Sequence, residues 1–171
     1  MNLLSYSYFN IAAMETYAGF VNYFTVLAQQ GFLPARVLGL RVDWEDKTIN
    51  ELEDSYGQEW TYYQRLNQEW YCYSAFFISI VVCQMMNTLI RKTRRNTIIT
   101  PRFFKNKIIF VGLLSQIVIG VILCYVPGLN IGLHFMPIRV QYWFVGIEYT
   151  FLILVYDELR TFLIRKFPGS K

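Results

Sequence analysis

The stretch YCYSAFFISIVVCQMMNTLI (Tyr71–Ile90), followed at once by RKTRRN (Arg91–Asn96), decides how this chain folds. A run this long without a charge can carry a helix across the hydrocarbon core of a bilayer, which takes about 20 residues. The basic run after it belongs at a charged headgroup surface. Outward from this segment, IIFVGLLSQIVIGVILCYV (Ile108–Val126) and YWFVGIEYTFLILVYDEL (Tyr142–Leu159) read the same way. A more polar apolar stretch, Ser5–Ala28, carries Asn10, Glu15 and Asn22. The expected fold is therefore an all-α membrane protein with four transmembrane helices, about residues 5–28, 71–90, 108–126 and 142–159. Composition agrees: 54% of the 171 residues are hydrophobic and 16% charged, against roughly 25% charged in soluble domains. A soluble bundle would need each helix to be apolar nearly all round.

Charge sets the expected orientation. The connector of residues 91–107 holds Arg91, Lys92, Arg94, Arg95, Arg102, Lys105 and Lys107 with no acidic residue, and the tail adds Arg160, Arg165, Lys166 and Lys171. The connector after the third span has only Arg139. Lys and Arg near span ends are retained in the cytoplasm, so the basic hairpin and both termini face inward. Tyr71, Tyr73, Tyr125, Tyr142, Trp143 and Tyr156 sit where amphipathic rings favour the interface. The N-terminal MNLLSYSYF has no basic segment of the kind that opens a cleaved signal peptide.

The segment between the first two spans, residues 29–70, then lies outside as a long extracellular loop. Eight acidic residues against four basic ones leave it net −4, and it carries Trp44, Tyr56, Trp60, Tyr62 and Tyr63. An acidic, aromatic-rich loop is either a partner-docking surface or a solvated connector, and composition alone does not choose between them.

Catalytic chemistry has no visible carrier. There is no Gly-rich phosphate loop, no nucleophile paired with a base and no metal-ligand cluster. His134, the only histidine, reads as an incidental surface residue, and Cys72, Cys83 and Cys124 as small buried hydrophobes. The informative residues are the polar ones inside apolar runs. Gln84 and Asn87 share a helix face. Gly112, Gln116 and Gly120 repeat at four-residue intervals, as do Glu15 and Gly19, with Asn22 continuing that stripe. Glu148 is expected to lie well inside the fourth span. Two readings fit these groups: interhelical hydrogen bonds that hold a bundle together, or oxygen ligands that line a cation site.

Specific strings extend the reading. YFTVLAQQGFLP (Tyr23–Pro34), LGLRVDWED (Leu38–Asp46), LEDSYGQEWTY (Leu52–Tyr62), AFFISIVV (Ala75–Val82), IRKTRRN (Ile90–Asn96), FMPIR (Phe135–Arg139) and VYDELR (Val155–Arg160) occur in order over nearly the whole chain. With them the chain resembles the last four spans of the α subunit of Na+/K+- and H+/K+-transporting P-type pumps. The resemblance implies that Ser55, Tyr56, Gly57 and Gln58 contact a glycosylated β subunit, which favours the docking reading of the loop. It implies a cation site, for Na+ among others, at Gln84, Asn87 and Gln116. That site is altered: Asn87 stands where the family has aspartate, and Gln116 where the Na+/K+ pumps have glutamate and the H+/K+ pumps glutamine. Conversely, Glu15 replaces a family glutamine and Glu148 a family proline. Thr97 lies in a basophilic-kinase pattern, RRNT, where the family has a phosphorylated serine; Arg94 and Arg95 equally suit anionic lipid, which would repel a phosphate.

The phosphorylated aspartate, the nucleotide-binding domain and the cation carboxylates of earlier spans, which the pump needs, are not among these residues. No cofactor is expected in this chain; Mg2+ and ATP would act only through upstream domains, and no nucleic-acid partner is expected. The expected function is the C-terminal membrane part of a pump α subunit in the plasma membrane, supporting monovalent cation transport and docking a β subunit. The alternative is a free-standing, truncated, non-catalytic paralogue that binds β subunits and modulates pump assembly. The methionine just before the first span and the lack of the family's terminal tyrosine pair point towards a divergent or incomplete gene.

Overall fold

A computed structural model describes residues 11–93 and 107–166. Its long helices are α1 (Ala12–Gln29), α4 (Tyr62–Thr93), α5 (Lys107–Tyr125) and α7 (Gln141–Lys166), which occupy the four apolar stretches. Between α1 and α4 lie two short helices, α2 (Pro34–Val37) and α3 (Arg41–Glu45), and an antiparallel pair of strands, β1 (Leu52–Glu53) and β2 (Glu59–Trp60). A single turn, α6 (Leu129–Gly132), joins α5 to α7. The fold is mostly helical, but the segment expected to be a loop contains its own small folded unit. Thr97 and most of the basic connector lie outside the described residues.

Local signals explain the boundaries. The amides of Gly31 and Phe32 donate to the carbonyls of Ala28 and Leu27, at 3.1 and 2.9 Å, so the end of α1 is closed by a reversed turn. Gly31 has φ +104°, and an added Cβ would collide with the Asp54 carboxylate. Glycine is required there both by the backbone angle and by the approach of the loop. Pro34 opens α2, where its missing N–H costs nothing. At the start of α4 the Gln64 side chain accepts from the Thr61 amide at 2.9 Å and from its hydroxyl at 3.1 Å, one half of a capping box. That cap sets α4 going nine residues before the expected span, and its 32 residues reach about 48 Å at 1.5 Å per residue. Its first turns therefore project beyond a hydrocarbon core of about 30 Å.

The central element is α4, packed chiefly against α1 and α7. Close approach is made by small residues: Gly19 of α1 lies under the Phe76 ring, and a Cβ on Gly146 of α7 would come 3.3 Å from Ser79 Cα. Val26, Leu27, Cys72, Ala75, Ile78 and Tyr142 form the main apolar core. The three cysteines are buried and unpaired. By contrast α5 touches its neighbours along one edge, and only Gly120 of its glycine stripe meets α4, at Val81. Val111, Leu114, Val118 and Ile119 face outward from it. Among the described residues two helices, Tyr62–Leu89 and Lys107–Tyr125, are long and apolar enough to cross a membrane. An outward-facing apolar surface of this kind is stable in lipid and unstable in water.

Candidate functional site

The folded unit between α1 and α4, called the outer unit because it lies beyond the apolar lengths of both helices, is organised by two buried charged residues. Asp54 closes the β1–β2 hairpin: its Oδ1 accepts the amides of Tyr56 (2.8 Å) and Gln58 (3.0 Å), and its Oδ2 the indole N–H of Trp60 (3.3 Å). Burial opposes ionisation of this carboxyl, but donation from the Gln58, Tyr56 and Gly57 amides and from Trp60 outweighs it. The carboxyl is held below the usual range. Ser55 ties the hairpin to the end of α1, its amide donating to the Gly31 carbonyl (3.0 Å) and its Oγ accepting from the Leu33 amide (3.1 Å). The chain reverses at Gly57, φ +81°, and Tyr56 stands 72% exposed at the tip. Ser55, Tyr56, Gly57 and Gln58 thus come together on one rigid, outward-facing turn.

Arg65, on the first turn of α4, is the second organiser. Its guanidinium is fully buried and donates to the carbonyls of Asp43 (2.6 Å), Asp46 (2.9 Å) and Ile49 (2.6 Å). The Tyr62 ring lies 5.8 Å from it. Neither residue stands among the candidates that composition and motifs single out. The D-x-x-G turn signal in LEDSYGQEW marks Asp54, but Arg65 has no signal because its partners are backbone carbonyls.

Inside the helix bundle the polar residues form two clusters at different depths. Glu15, buried on α1, accepts from Gln84 Nε2 at 2.6 Å and from Asn87 Nδ2 at 3.2 Å. Two turns further along α1, the fully buried Asn22 directs its Nδ2 at the Ala75 carbonyl (2.9 Å), Ser79 Oγ (2.7 Å) and the Tyr142 carbonyl (3.1 Å). One amide thereby joins α1, α4 and α7. The carbonyl oxygens of Asn22 and Gln116 are buried acceptors with no donor among the described residues. Glu148 lies within α7, on the stretch expected to form the fourth span, and its side chain is exposed rather than turned towards the neighbouring helices. It lies two residues from Gly146, the point of contact with α4, and two residues turn a helix to nearly its opposite side.

The short connector before α7 is stapled to α4. Ser74 Oγ accepts from the Met136 amide at 2.7 Å, and the Tyr71 hydroxyl from the Arg139 amide at 2.9 Å. His134 is exposed, has φ +55° and meets the Trp70 ring edge-on.

This helical assembly with polar groups buried between its helices is that of a membrane-domain module. Residues 2–163 match the family described as cation transporting ATPase, C-terminus, and the chain belongs to it. Over 98% of its length it is 50% identical to the potassium-transporting ATPase alpha chain 1 of Xenopus laevis and 52% identical to the human potassium-transporting ATPase alpha chain 2. It is 47% identical, over the same share, to the human sodium/potassium-transporting ATPase subunit alpha-2. The chain spans 16% of the length of these relatives.

Proposed function

We propose that these residues form the last four spans of the α subunit of a plasma-membrane pump for Na+, K+ or H+, with both ends cytoplasmic, and that the hairpin Ser55–Gln58 docks a β subunit. The observation that carries the docking is the mounting of Tyr56. An aromatic side chain held out on a turn locked by Asp54 loses little conformational freedom on binding, and such preorganised aromatics are the usual anchors of interfaces. The surrounding loop is acidic, so a neutral or basic partner surface fits it. Co-expression with an epitope-tagged β subunit tests this. Tyr56→Ala should reduce co-purification by on the order of tenfold or more, as expected for a central aromatic anchor, while the chain itself stays membrane-inserted. Equal recovery of the variant and the parent chain would refute the docking role.

The Glu15–Gln84–Asn87 cluster is the proposed cation-facing part. Family resemblance assigns an aspartate to the position of Asn87, and here Glu15 brings one carboxylate to the two amides from a neighbouring helix. Oxygen ligands with one negative charge suit a monovalent cation. In a complete pump, Glu15→Gln should lower apparent cation affinity several-fold and leave β-subunit recovery unchanged. Unchanged cation activation curves would reduce the cluster to a bond between helices.

A further inference from the structure

Two cavities adjoin where α1 ends, on the side of the outer unit. The first, about 310 Å3, is lined by Tyr23 of α1, Trp44 and the Arg41–Glu45 pair of α3, and Glu69 and Tyr73 of α4. The second, about 540 Å3, is almost wholly apolar, lined by Val21, Phe24 and Ala28 of α1 and by Pro34 and Leu38 above them. Val37 borders both. Both cavities flank the same stretch of α1, residues 21–28.

The first cavity is matched to a cation that donates no hydrogen bond. Glu69 already accepts from the Tyr73 hydroxyl and, at 3.4 Å, from the Trp44 indole. It therefore places a carboxylate among three aromatic rings, each of its oxygens already taking one donor. Aromatic rings with a nearby carboxylate are the chemistry that recognises quaternary ammonium groups. Arg41, whose side chain is 88% exposed, bonds Glu45 through Nε at 3.0 Å, and its remaining N–H groups suit a phosphate oxygen. One guanidinium and two carboxylates leave the cavity net negative, so a zwitterion with an outer cation fits and an anionic headgroup does not. Leu38, which lines the second cavity, is 84% exposed, and contact with an acyl chain would remove it from water.

We propose that this pair of cavities binds one phosphatidylcholine molecule of the adjoining leaflet, its trimethylammonium among Tyr23, Trp44, Tyr73 and Glu69, its phosphate at Arg41 and an acyl chain along Phe24 and Val21. None of the hairpin residues Ser55–Gln58 lines either cavity.

Native mass spectrometry of the delipidated full chain in mild detergent tests it, with phosphatidylcholine, phosphatidylethanolamine and phosphatidylglycerol of identical acyl chains, and with glycerophosphocholine. Phosphatidylcholine should be retained on the order of tenfold better than phosphatidylglycerol, and glycerophosphocholine, lacking acyl chains, hardly at all. Glu69→Gln should bring phosphatidylcholine down to the level of phosphatidylethanolamine. Leu38→Asp, at an exposed position that leaves the core intact, should weaken retention of every lipid with the helical circular dichroism unchanged. Equal retention of the three lipids, or indifference to both substitutions, overturns the proposal. Retention of glycerophosphocholine as strong as that of the lipid overturns the lipid assignment. A photo-crosslinker at position 38 that captures a protein helix in intact membranes, and no phospholipid, does the same.

Discussion

Asp54 illustrates how one side chain can hold a surface in shape. Its folded pKa is depressed, so ionisation adds stability above the unfolded value of about 3.9, and that contribution is lost as pH falls through the lower folded value. The hairpin should therefore stay protected from proteolysis near neutrality and open in acid. Asp54→Asn should be more open throughout and lose the acid-dependent step, which limited proteolysis over a pH series reads directly. A wild-type hairpin equally protected at pH 7 and below pH 3 would count against this role. The residues at the tip were legible from the sequence as a turn, because Gly57 and the acidic residue before it carry a local code. What sequence could not supply was the pairing of Asp54 with Gly31, which lies on a different element.

At the scale of elements, α4 does two jobs. Its inner length is the core of the bundle, and its outer turns carry Arg65 up to the three carbonyls that close the loop after α3. Truncation of Arg65 to Ala leaves those carbonyls without donors and should destabilise the outer unit by roughly 3 kcal/mol. The expected readout is faster amide exchange over residues 43–49, with the membrane part of α4 unaffected. Arg65→Lys should restore only part of the protection, since an ammonium lacks the planar fork that reaches several acceptors. The span itself was legible from its hydropathy. Its outward extension was not, because residues 62–70 are polar on the surface and are held helical by the Thr61–Gln64 cap and by tertiary contacts.

On the scale of the molecule, Asn22 is the node at which α1, α4 and α7 meet. Bonds between helices in a bilayer are worth about 1 kcal/mol, so Asn22→Leu should lower resistance to detergent unfolding by about that amount without altering insertion. Loss of insertion would mean that the residue acts earlier, in span formation. The helical class, the positions of the apolar stretches and the membership of the family are all written in the linear chain, since hydropathy over about 20 residues and unbroken motif strings need no folding to be read. The linear chain also puts Glu15, Gln84 and Asn87 among the informative polar residues. Helix packing is what brings these three together, gives Asn22 a different node and leaves Glu148 facing outward. A helix presents each side chain to a direction fixed by its rotation, and that rotation is set by where neighbouring helices can approach closely, here at Gly19 and Gly146. No stretch of sequence read alone contains that information.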